Sequence, residues 1–131
     1  MRTPEPIPET MQYMILIYSD ESTYGRMNEA EMGELMAQYG AFHEEIAASG
    51  KMLGANRLCP TQTATTVRMR KGQAATTDGP FAETKEQLGG YYLIEASDLD
   101  EALAWANKVP TVTYGSIEVR PVWLDDAEGQ Q

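Results

Sequence analysis

The stretch Thr76–Ala96, TTDGPFAETKEQLGGYYLIEA, gathers more chemistry than a chain connection needs. Asp78 stands before Gly79 and Pro80; glycine permits positive φ there, and proline fixes φ near about −65°. Such a turn can use its carboxylate in two ways. It can accept a hydrogen bond from a nearby backbone N–H and brace the turn. It can also be aimed into a cleft as a general base or ligand anchor. Phe81 reads as a hydrophobic plug that seats this loop. His43 is the single histidine, the side-chain type whose ordinary pKa lies nearest neutrality. Tyr39 precedes it by one helical turn on the same side. Asp78, Tyr39 and His43 are therefore the candidate catalytic residues, for acid–base work on a small organic molecule. Flanked by Glu44 and Glu45, His43 also fits the plainer reading of a helix-edge residue.

Tyr18, Glu86 and Arg120 are the candidate ligand-binding residues, and each has a structural alternative. Tyr18 can be core, with a hydroxyl that needs a partner if buried. Glu86, like Lys85, can be solvated or can meet a partner subunit. Arg120 alternates with Glu118 on one face of the last strand, where an ion pair competes with a polar cleft floor.

Other chemistries find no support. Cys59 is the single cysteine, so it makes no intramolecular disulfide and has no redox or metal spacing. No metal constellation is expected: one histidine and no paired cysteines argue against a structural zinc site, while an oxygen-only site stays open. Gly89 and Gly90 lead into a strand rather than a helix, unlike a phosphate loop. No cofactor is expected.

The elements that must position these residues follow from periodicity. Gln12–Tyr18, QYMILIY, reads as a strand. Asn28 caps a helix to about Ser49, with Met32, Leu35, Met36, Tyr39, Phe42 and Ile46 in one stripe, and Gly50 stops it. A strand follows over residues 51–58. TTVRMR and AATTD flank KGQ as a hairpin turning at Gly72. Tyr91–Ala96 is a strand. Ser97 or Asp98 caps a second helix, with Leu99, Leu103 and Ala106 or Trp105 inward and Pro110 past its end. The strand SIEVRPVW closes the order. β-α-β, a hairpin, then β-α-β predicts an α+β fold: a ferredoxin-like split βαβ with a hairpin insertion.

A chain of 131 residues predicts a single domain, placed over residues 11–124. The proline-rich residues 1–10 and the tail 125–131 read as flexible extensions, and the former is no signal peptide. A net charge of −10 without a basic stripe argues against nucleic acid and anionic membrane surfaces as partners. No stretch reaches the roughly 18 apolar residues of a membrane span. The lone cysteine points to the cytoplasm.

Strands 12–18 and 91–96 are apolar on both faces, whereas a half-solvated antiparallel sheet alternates. Two helices cover one face. A second copy meeting the other predicts a homodimer packed sheet to sheet; the alternative is the hairpin folding back over that face.

The string DGPFAETKEQLGGYYLIEASDLDEALAWA, with MQYMILIYSDE and YGSIEVRPV, resembles the DGPF branch of the YCII-related family over residues 11–123. The resemblance implies a ferredoxin-like α+β fold that dimerises as a dimeric α/β barrel. It also implies a cleft in which some members carry a histidine–aspartate pair. One related branch takes part in dehalogenating aromatic compounds, and the DGPF branch is often encoded near extracytoplasmic-function sigma factors. Tyr39 falls where the family's helix histidine would lie, with His43 one turn later. Either Tyr39 with a carboxylate replaces the pair, or the pair does not belong to this branch. Two functions remain: a small cofactor-independent acid–base enzyme working near the dimer interface, or a non-catalytic ligand-binding or regulatory dimer linked to sigma-factor signalling.

Overall fold

A computed structural model describes residues 11–124. The two extensions expected at residues 1–10 and 125–131 lie outside the described residues. In chain order the elements are β1 (Met11–Ser19), α1 (Ser22–Gly25), α2 (Glu29–Ala48), β2 (Met52–Arg57), β3 (Thr65–Arg70), β4 (Gln73–Asp78), β5 (Gln87–Ala96), α3 (Leu99–Ala106) and β6 (Ser116–Pro121), with 3-10 turns at Thr61–Thr63 and Pro110–Thr113.

Asn28 caps α2 as expected. Its side chain accepts from the Glu31 N–H at 2.7 Å while Glu31 accepts from the Asn28 N–H at 3.0 Å, a reciprocal capping box. Asp98 caps α3 through the Glu101 N–H at 2.9 Å. β1, β2, β5 and β6 form a four-stranded sheet in the order β2-β5-β1-β6. Every neighbouring pair is antiparallel. β1 and β2 thus run parallel with β5 between them, and β5 and β6 run parallel with β1 between them. These are two interleaved split βαβ units, the ferredoxin-like arrangement.

Alternation decides the sheet's inner face. Tyr13, Ile15 and Ile17 of β1 and Tyr92, Ile94 and Ala96 of β5 are buried with Phe42 and Ile46 of α2, Ala102 and Ala106 of α3, and Val109. Rings of Phe42 and Tyr92 meet edge to face at 5.1 Å. The far face carries Met14, Leu16, Tyr91 and Leu93, all half-buried.

Four expectations need correction. α3 turns Ala106 inward as expected but joins it with Ala102, while Leu99 and Leu103 are 48% and 40% exposed; small residues let the helix approach β5 and β6 closely. Met36 of the α2 stripe is exposed. β5 begins at Gln87, four residues earlier than expected, because the strand absorbs Gly89 as a bulge, pairing Ile17 with Gly90 and Tyr18 with Leu88. Phe81 plugs nothing, being 74% exposed.

The β3–β4 hairpin turns at Lys71 and Gly72, with φ of 52° and 83°. Positive φ at both central residues is the turn whose twist matches paired strands. Neither strand of this hairpin packs extensively on another element, so it does not fold back over the far face of the sheet.

Candidate functional site

The apolar stripe of α2 does two jobs along its length. Leu35, Phe42 and Ile46 enter the core. Met32, Met36, Tyr39 and His43, on the flank of the same stripe, face a cleft of about 690 Å³ between α2 and the β2–β5–β1 side of the sheet. The cleft exists because its floor is built from small side chains. Arg57 pairs across the sheet with Gly90, and Ala55 with Tyr92; Gly90 pairs on its other side with Ile17. A Cβ at Gly90 would stand 2.8 Å from the Asn56 carbonyl oxygen, so close strand approach also requires glycine there. Ser19 ends the floor on β1. The rim is tied by Glu21, whose two oxygens accept from the Thr61 N–H at 2.9 Å and the Thr61 hydroxyl at 2.8 Å. The Glu21 N–H in turn donates to Gln87 Oε1 at 2.9 Å.

One wall of the cleft is a chain of hydroxyls. Ser19 Oγ lies 2.9 Å from Tyr24 Oη, and Tyr24 Oη lies 3.2 Å from Tyr114 Oη. Tyr114 Oη lies 3.4 Å from Thr111 Oγ1, and Thr111 Oγ1 lies 2.5 Å from Tyr39 Oη. Ser19 and Thr111 are 4% and 0% exposed, so their hydroxyls depend on this chain for partners. Ser19, Tyr24 and Tyr39 line the cleft, which means that the chain leaves it at Tyr24, runs through Tyr114 and Thr111, and returns at Tyr39. Each hydroxyl can both donate and accept. The chain can therefore be polarised in either direction, and in one of them the Tyr39 O–H is left pointing as a donor into the cleft.

Burial raises the Tyr39 phenol above the ordinary tyrosine value, partly offset by the bond to Thr111. Burial likewise raises Tyr92 and Tyr114. At neutral pH these phenols are donors, not phenolates. His43 Nδ1 lies 3.5 Å from Tyr92 Oη, at the outer limit of a hydrogen bond.

The candidate residues divide into three places. Tyr39 and His43 share the cleft. Tyr18 belongs to the far face, where its hydroxyl donates to Glu118 Oε1 at 3.2 Å; partial burial, then that bond, raises its pKa. Arg120 is on that face too, opposite Met14. Glu86 joins the same edge, accepting from the Ser116 hydroxyl at 2.7 Å, and Ser116 stands opposite Tyr18. Glu118 and Arg120 form no ion pair among the described residues. Asp78 closes β4, pairs with Thr65 and does not line the cleft. Its turn is held by other groups: the Gly79 N–H donates to the Ala64 carbonyl at 2.7 Å, and the Thr66 hydroxyl to the Gly79 carbonyl at 2.8 Å. The Asp78 carboxylate has no hydrogen bond among the described residues.

Sequence reasoning missed Ser19, Tyr24, Thr111, Tyr114 and Arg57. The paired glycines in an apolar strand were the available signal, since glycine there marks a bulge or a close approach. No helix of the described residues is long and apolar enough to cross a membrane, and among them no cluster of three or more potential metal ligands occurs.

Residues 11–124 match the YCII-related domain. The chain is also similar to an uncharacterized protein, R00369, of Rhizobium meliloti (strain 1021). The two are 41% identical over 116 residues, covering 87% of this chain and 94% of that protein.

Proposed function

The chain belongs to the YCII-related domain family, and on that footing we propose that its folded unit, residues 11–124, binds a small organic molecule in the cleft under α2 and performs cofactor-independent acid–base chemistry on it. The carrying observation is a cleft of about 690 Å³ whose hydroxyl wall ends at Tyr39. That volume falls within the roughly 300–1,000 Å³ of small-molecule sites. Tyr39 is the proposed acid, supplied along the hydroxyl chain, and His43 the proposed base one turn away. Asp78 lies outside the cleft lining and enters this reading only as a third candidate, its carboxylate having no hydrogen bond among the described residues. The stretch Asp78–Phe81 supports placing the chain in the DGPF branch.

The far face of the sheet supports a homodimer closing an α/β barrel. Met14, Leu16, Tyr91 and Leu93 form an apolar centre with Glu118 and Arg120 beside it, and the hairpin leaves it uncovered. Tyr18, Glu86 and Arg120 would then bind where the two copies meet. The single, exposed Cys59 fits a reducing, cytoplasmic setting.

Two probes test the reading. An NMR titration with benzyl alcohol should move the amide signals of Leu35, Tyr39, His43 and Tyr92; no movement there would refute the cleft. Deuterium uptake by phenylacetone in D2O reads acid–base work. Tyr39→Phe and His43→Gln should each slow it by about a hundredfold, the lower range for general acid–base groups. Binding without uptake would favour the alternative, a non-catalytic ligand-binding or regulatory dimer linked to sigma-factor signalling.

A further inference from the structure

We propose that the ligand of this cleft is an organic acid, and that Arg57 receives its carboxylate. This rests on the reading that the cleft binds small molecules. Three lining residues carry groups able to be charged: Glu21, His43 and Arg57. Glu21 is committed to the rim, with each of its oxygens accepting from Thr61. Arg57 differs. Like Arg70, Lys71, Lys85 and Arg120 it is exposed, with neither a hydrogen bond nor an ion pair among the described residues, but of these cations it is the one that lines the cleft.

Arg57 ends β2 at the sheet edge, with Gly90 opposite it on the same face. Glycine offers no side chain to cover the guanidinium or compete for it. The same lining holds an apolar group, Leu35, Met32 and Ile17. Tyr39 and Tyr92 also line the cleft, with phenols that burial keeps protonated and therefore able to donate. The cleft offers a cation, an apolar body and hydroxyl donors, but no uncommitted carboxylate among its lining residues. A carboxylate on an apolar or aromatic frame satisfies all three; an amine would face the Arg57 cation and a Glu21 already bonded on both oxygens. The guanidinium fork matches a carboxylate through two parallel hydrogen bonds.

The test compares benzoate, benzyl alcohol and benzylamine, which share one frame, by calorimetry on the full chain. Benzoate should bind at least about tenfold tighter than benzyl alcohol, the worth of one hydrogen bond to a charged group. Benzylamine should bind weakest. Arg57→Gln should bring benzoate down to the level of benzyl alcohol and leave benzyl alcohol unchanged. Arg57→Lys, which keeps the charge but loses the fork, should fall between; a circular dichroism melt checks that both variants fold. If benzyl alcohol binds but benzoate is no tighter, or if Arg57→Gln leaves benzoate unaffected, the organic-acid assignment fails and the cleft reading stands. If none of the three binds, both fail.

Discussion

Tyr39 joins the two kinds of work that α2 does, since its ring packs against the core cluster while its hydroxyl closes a chain of five. The phenols in that chain make stability depend on alkali. Burial raises Tyr39 and Tyr114 in the folded state, so the unfolded chain loses its phenolic protons first. Their contribution is fully present below the unfolded value of about 10 and is lost as pH rises through the higher folded values. Melting temperature should therefore fall steeply above about pH 10, and Tyr114→Phe should flatten that fall; an unchanged slope would show that the chain does not bury its phenols. Asp78 makes the opposite case. With no hydrogen bond to lose among the described residues, Asp78→Asn should leave the unfolding free energy in urea within about 0.5 kcal/mol of the parent's. A larger loss would return the carboxylate to a bracing role. Reduced ligand affinity at unchanged stability would place it in function.

At the scale of elements, close approach is the controlling variable. A Cβ at Gly115 would stand 2.2 Å from the Tyr18 carbonyl oxygen and 2.7 Å from Thr111 Cγ2. Gly115→Ala must displace either β1 or the turn that aims Thr111. Urea unfolding should show a loss of about 1–3 kcal/mol, the usual cost of overpacking, and a parental midpoint would contradict the packing. The same variable explains what was legible in the sequence. The strands, α2, its Asn28 cap and the split βαβ order were readable because periodicity and capping are local. The inward face of α3 was not. Hydropathy ranks Leu99 and Leu103 above Ala102 and Ala106, yet the helix sits where only the alanines fit. Tyr39 and His43 could be brought together from helical spacing alone. The rest of the hydroxyl chain could not, because Ser19, Tyr24, Thr111 and Tyr114 come from separate turns and strand ends that share no period. Asp78 was drawn toward the site by the richness of its loop, but a hairpin that packs on little else carries it elsewhere.

For the molecule as a whole, the proposed dimer rests on the far face of the sheet. Sedimentation at micromolar concentration should give about twice the chain mass, as a sheet-to-sheet dimer requires. Leu16→Glu puts a charge at the centre of that face, on the side away from the core, and should yield a folded monomer; a monomeric parent would refute the dimer. The interleaved strand order has a consequence of another kind. The hairpin tip carries Arg68, Arg70 and Lys71, so it is both a tryptic site and a natural dividing point of the chain. The segment before Gly72 owns β1, α2 and β2, and the segment after it owns β5, α3 and β6. Neither can close its sheet alone, because β5 fills the gap between β1 and β2 while β1 fills the gap between β5 and β6. Cut at that tip, the protein becomes two complementary fragments that acquire structure only by threading into one another, which is the architecture of a split reporter.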